Sequence, residues 1–198
     1  MIFEELYEMM LNVCKESLDM SIADCHIKGC FSLVVGGTEH GKLTRVFIAT
    51  KKINPFDIQF HSHRYGLKIG VIHGVFEHHI ARNVPKDKCS PNYVTLKAHK
   101  YKSPLNGGNG LSYYGEYKFL LESANIPVGG VIELQTSDTH TVSCKKGTMW
   151  VVQEQGFDYD TSFVLGTDFS TEGLYNKPEQ FQVNNMYEQV LKQLKKLV

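Results

Sequence analysis

Residues 61–74 read HSHRYGLKIGVIHG, and two signals overlap in them. Leu67 to His73 is a short apolar run closed by Gly74, the texture of a buried strand ending in a turn. Just before it, His61 and His63 flank Ser62. On a strand, side chains two positions apart share a face about 6.5 to 7 Å apart, so both imidazoles can converge on one ion while Ser62 faces away. The same texture extends outward as short runs broken by Gly, Pro and Asn. Phe31 to Val35, Val46 to Thr50, Ile58 to Tyr65, Val75 to Ala81, Tyr93 to His99, Tyr117 to Glu122, Gly130 to Leu134, His140 to Cys144 and Met149 to Glu154 all read as strands. With Leu67 to His73 this makes about ten, which predicts a β-sandwich or barrel. The segment around Asn106-Gly107-Gly108-Asn109-Gly110 reads as a turn.

The ends differ from the middle. From Ile2 to about Ser21, Phe3, Leu6, Met10, Val13 and Leu18 recur at helical spacing behind Glu4, Glu5 and Glu8, predicting a helix over residues 1–24 that packs outside the core. Near the C-terminus, Val190, Leu191, Leu194 and Val198 predict a second helix over 184–198, started at Asn184 or Asn185. Between them, residues 25–180 form the expected barrel of a single domain spanning 1–198. The chain's 198 residues suit one core.

Charge and cysteine usage narrow the partners. Lys plus Arg and Asp plus Glu are 21 each, so no long-range field steers the chain to nucleic acid or an anionic membrane. The apolar runs are too short to span a bilayer. Five cysteines, an odd number without a secretory framework, point to a reducing cytoplasm. Cys25-His26 and Cys30 make at most half a zinc site, with no second pair at matching spacing. Phosphate loops, nucleophile elbows and dinucleotide fingerprints are absent.

His61, His63, Leu67 and Gly74 match the spacing of a known motif: H-x-H, three or four residues, Glu, six residues, Gly. Gly129 and His140 match two positions of its companion, Gly, five residues, Pro-x-Gly, two residues, His, three residues, Asn. The chain therefore resembles the cupin superfamily across residues 61–144. Leu67 stands where the motif has glutamate, and Gln135, Ser137 and Cys144 stand where it has Pro, Gly and Asn. The resemblance implies a mainly β fold, a double-stranded β-helix (cupin or jelly-roll barrel) with the N- and C-terminal helices packed outside. It also implies a metal site of His61, His63 and His140, with Leu67 facing the place of the carboxylate ligand. The interval from Gly74 to Gly129 leaves room for two extra strands.

Three neutral imidazoles suit a divalent transition metal, iron first, with zinc, nickel or copper as alternatives, and leave the ion its full charge and open positions for an anionic small-molecule substrate. Three-histidine sites in the superfamily resemble those of thiol and diketone-cleaving dioxygenases. A non-haem iron dioxygenase is the first functional expectation. A metal-dependent isomerase or hydrolase and a non-catalytic small-molecule-binding barrel are the alternatives. A homodimer is implied by the resemblance alone. Beside the ion, Tyr65 shares the face of His61 and His63 and can offer its hydroxyl to a bound substrate, and Glu116 is a candidate general acid or base. His78 and His79 are adjacent, so one of them faces inward. His26, His40, His73 and His99 receive no role, Cys144 reads as a buried inert thiol, and Trp150 as packed under a helix.

Overall fold

The architecture follows from which strand faces are apolar. The structure is a computed structural model, and it describes residues 2–23, 29–37, 42–85, 87–102, 110–156, 160–166 and 183–198, without the side chains of residues 56 and 184. Cys25, His26, His40 and the glycine-rich segment 103–109 lie outside the described residues. Among the described residues there are twelve strands and four short helices: α1 (Ile2–Leu11), α2 (Lys15–Asp19), β1 (Ile22–Ala23), β2 (Cys30–Gly36), β3 (Thr44–Ala49), α3 (Pro55–Ile58), β4 (Phe60–His61), β5 (Gly66–His73), β6 (Phe76–Val84), β7 (Tyr93–Lys102), β8 (Gly110–Ile126), β9 (Val131–Leu134), β10 (His140–Cys144), β11 (Met149–Gln155), β12 (Ser162–Gly166) and α4 (Asn184–Leu194).

Among the described residues all strand pairs are antiparallel. The first sheet runs β1-β2-β3-β11-β5-β9, and the second closes on itself in the order β10-β4-β12-β7-β8-β6. Within them, β3-β11-β5-β9 and β4-β10-β6-β8 are the two four-stranded halves of a jelly roll, the double-stranded β-helix expected from the sequence. The interval after Gly74 is filled by β7 and a 17-residue β8. These carry the second sheet around until β7 meets β12, which pairs with β4.

Three clusters hold this together. Between the sheets, Phe47, Leu67, Ile69, Val71, Trp150 and Val152 of the first meet Phe76, Val142 and Cys144 of the second. On the outer face of the first sheet, Leu33, Val46, Ile48, Met149 and Val151 lie under Ile2, Leu6 and Met10 of α1 and Val190 and Leu194 of α4. Spacing of four residues puts each helical trio or pair on one stripe. The third cluster, Phe60, Ala81, Leu96, Ala98, Phe119 and Leu165, draws on five strands of the closed ring and so fills its interior.

Several sequence expectations need correction. Residues 1–24 are not one helix: α1 ends at Leu11, α2 at Asp19, and Ile22 and Ala23 pair with Ser32 and Phe31 as strand. The C-terminal helix ends at Leu194, and its N-cap is Val183. Ile58 to Tyr65 is not a continuous strand, because Pro55 opens α3 and the Asn54 backbone N–H donates to Asp57 Oδ2 at 2.8 Å, which fixes a helical turn there. Trp150 is not under a helix; it stacks on Phe47 with centroids 5.4 Å apart, inside the sheet sandwich.

Candidate metal centre

Gln59 starts the site. It follows α3 with φ 62° and ψ 158°, a backbone region nearly reserved for glycine, and this turn delivers the chain into β4. The same turn aims the Gln59 carbonyl at His61, whose Nδ1–H donates to it at 3.1 Å. His61 pairs across the sheet with both His140 and Val164. His63 lies just beyond the last residue of β4, but its segment is pinned: the Ser62 N–H donates to the Phe163 carbonyl and the Phe163 N–H to Ser62 Oγ, each at 2.9 Å. The two imidazoles therefore meet through a strand end and an anchored loop instead of one continuous strand.

His140 completes the group from β10. Alternation puts it on the face of Val142 and Cys144, the one that looks at the first sheet. One ligand atom from each of His61, His63 and His140 lies within 4.8 Å of the others. His63 Nε2 and His140 Nε2 are 2.9 Å apart. Adjacent nitrogens bound at about 2.1 Å to one ion and at right angles would be separated by about 3.0 Å, so this spacing fits a shared metal. Ring centroids are 4.7 Å apart for His61 and His63, 5.2 Å for His61 and His140, and 5.1 Å for His63 and His140. Burial first, then the neighbouring His61, His63 and His78, hold His140 well below the ordinary imidazole range, so its lone pair stays available.

Of the adjacent pair on β6, His78 faces inward: its Nε2 is 3.1 Å from His140 Nδ1, and burial lowers it to about 4. His79 faces the other side, where its Nε2 is 2.9 Å from Ser143 Oγ and the Ser143 hydroxyl donates to Glu77 Oε2. His73 is exposed at the end of β5.

Tyr65 lies beside His63, rings nearly parallel with centroids 6.3 Å apart. Burial, followed by the nearby Glu154 carboxylate, raises the Tyr65 phenol, which keeps its proton. Leu67 is buried in the cluster between the sheets, and Glu154 pairs directly with it. Glu154 is itself 3% exposed at its side chain and lies 3.5 Å from Arg45 Nε. Sequence reading missed this buried pair; its signal was a charge on the same alternate positions as Trp150 and Val152. Glu116 is exposed and pairs with Lys97 on β7. Burial raises the Cys144 thiol to about 12, leaving it inert. Among the described residues no helix is long and apolar enough to cross a membrane.

Neither a protein-family model nor a curated protein sequence matches this chain. Among solved structures, it is similar to a hydroxypropylphosphonic acid epoxidase from S. wedmorenis, at 12% identity and TM-score 0.40 over 69% of this chain and 56% of that one. It is also similar to a hydroquinone 1,2-dioxygenase solved with Cd2+ and 4-hydroxybenzonitrile, at 12% identity and TM-score 0.37 over 64% and 63%. A third likeness is to an L-ribose isomerase of Cellulomonas parahominis, at 10% identity and TM-score 0.37 over 89% of both chains. This chain thus spans less than two thirds of the first two, and similarities this remote transfer neither activity nor ligand to it. What the chain's own strand order and histidine geometry establish is a jelly-roll barrel with a three-histidine group between its sheets.

Proposed function

We propose that this chain is a divalent-metal protein in which His61, His63 and His140 hold the ion, iron first and zinc, nickel or copper as alternatives, and that it works as a dioxygenase on a small anionic substrate. The observation that carries the reading is the convergence of three imidazoles within 4.8 Å, with Nδ1 of His61 and of His140 already engaged elsewhere. A bound divalent ion supplies Lewis acidity and open positions for an anionic chelating group. The three ligands are neutral, so they leave that charge for the substrate. Tyr65 forms a wall beside His63 with its proton retained, and Leu67, buried and apolar, keeps water from the side where the motif's carboxylate stands. Glu116, exposed on β8, is kept as a candidate general acid or base whose part the Glu116→Gln variant tests.

A non-catalytic barrel is favoured by one feature: His63, His140 and His78 form a hydrogen-bonded chain that is complete by itself. Elemental analysis of tag-free protein purified without chelators separates the two. Near-stoichiometric metal that falls in both His61→Ala and His140→Ala supports the shared site. Absence of metal, even after adding iron, zinc, nickel or copper, refutes it and leaves a binding barrel. Oxygen uptake with thiol or diketone compounds then tests the dioxygenase; turnover under strict anaerobiosis points to an isomerase or hydrolase.

A further inference from the structure

We propose that His78 is the positioning residue of this centre: its Nε2 accepts a hydrogen bond from His140 Nδ1–H and so turns the His140 Nε2 lone pair toward His61 and His63. The inference rests on the metal reading above.

The geometry is specific. His78 pairs with Val142, two residues from His140 on the neighbouring strand, so the two imidazoles are diagonal neighbours on one face. Their centroids are 5.1 Å apart and their planes are inclined by 43°. Both residues are buried, at 5% and 4% exposure. The inward face of β6 otherwise begins with Phe76 and continues with Ile80, and a polar ring placed there without a bond would cost stability. His78 is not an additional ligand to the same ion. Its Nε2 addresses His140 Nδ1, while the opposite nitrogen of that ring, Nε2, addresses His63. An ion on one edge of the His140 ring is out of reach of a group bonded to the other.

Accepting this bond requires His78 to carry its own proton on Nδ1. The outer partner of His140 is then a neutral imidazole, where metal-bound histidines frequently lean on a carboxylate. It fixes the ring without adding negative charge, which preserves the ion's attraction for an anionic ligand.

The test uses the full chain stripped of metal and titrated with Zn2+ against a chromophoric chelator, with the melting of each metal-free protein measured in parallel. His78→Leu removes the acceptor; His78→Gln keeps a carbonyl in its place. The expected result is a loss of about 10- to 100-fold in Zn2+ affinity for His78→Leu, recovery to within about threefold of the parent for His78→Gln, and similar melting of all three metal-free proteins. Unchanged affinity in His78→Leu overturns the inference while leaving the metal site intact. Equal losses in both variants that follow lowered melting also overturn it, because they mark a purely structural residue. A parent protein that binds no Zn2+, iron, nickel or copper overturns both the inference and the reading beneath it.

Discussion

Acidification from pH 7 to pH 5 should destabilise the metal-free protein, and His78 sets the scale. Burial lowers its imidazole from the ordinary 6.5 to about 4. An unfolded chain therefore takes up this proton before the folded one does. Stability is full above pH 6.5, falls as the pH drops, and levels off below 4. At about 1.4 kcal/mol per pH unit, the whole interval is worth about 3 kcal/mol, of which about 2 kcal/mol is lost by pH 5. Burial also lowers His140, so that residue adds to the loss in the same direction. Against a typical folding stability of about 5–15 kcal/mol, this is a large fraction. Urea unfolding in the presence of a chelator at pH 7 and pH 5 measures it, with His78→Leu as the control whose drop should be smaller by about 2 kcal/mol. An equal drop in His78→Leu, or a stability flat across this range, would refute the reasoning, since a buried imidazole that gains protons freely is not desolvated.

Gln59→Gly should stabilise the protein by about 1 kcal/mol, because relief of a backbone strain of about 1–3 kcal/mol exceeds the added unfolded-state entropy of about 0.5–1 kcal/mol; a destabilised variant in urea unfolding would show that the turn carries no such strain. The two glycines of the motif spacing should respond differently to alanine. At Gly74, with φ +93°, a Cβ would meet Thr148 Cα at 2.8 Å, whereas at Gly129, with φ +83°, nothing lies within 4 Å. Gly129→Ala should then cost about 1–2 kcal/mol and Gly74→Ala clearly more, and equal melting temperatures would contradict the packing at Gly74. Leu67→Glu should cost about 3–5 kcal/mol by burying a second carboxylate opposite Glu154, and combining it with Glu154→Gln should return more than 1 kcal/mol of that; strictly additive effects would mean the two side chains do not meet.

How much was legible in advance depends on whether one face of a strand is distinguishable from the other. His140–Cys144 and Gly66–His73 stand close to their expected bounds because turns fence each apolar run. Trp150 was misplaced because Met149 to Val152 is apolar on both faces: Trp150 and Val152 go between the sheets and Met149 and Val151 under the helices. Alternation cannot say which parity faces which layer when both are buried. The length of β8 was hidden for the opposite reason. Glu122 to Asn125 are all exposed, so no hydrophobic rhythm marks them. His61 and His63 do converge, but the strand expected to bring them together stops at His61. The pin on the second histidine comes from β12, whose pairing with β4 joins residues about a hundred positions apart.

The same distance in sequence conceals an acidic side chain beside Leu67. The register of β5 with β11 sets Glu154 directly opposite Leu67, about 5 Å away between Cβ atoms. The barrel therefore holds an acidic side chain in that neighbourhood, on the adjacent strand. Its circumstances are different. Arg45 lies 3.5 Å from it, so its charge is compensated within the first sheet. Arg45 and Glu154 together contribute no net charge to the space facing the histidines. Imidazole binds a metal in its neutral form. An ion held by His61, His63 and His140 would keep its full double charge in a low-dielectric setting, where attraction for an anion is strongest. In the proposed site, Leu67 would add no negative group beside the ion and Glu154 is tied to a cation, so both would favour an anionic ligand.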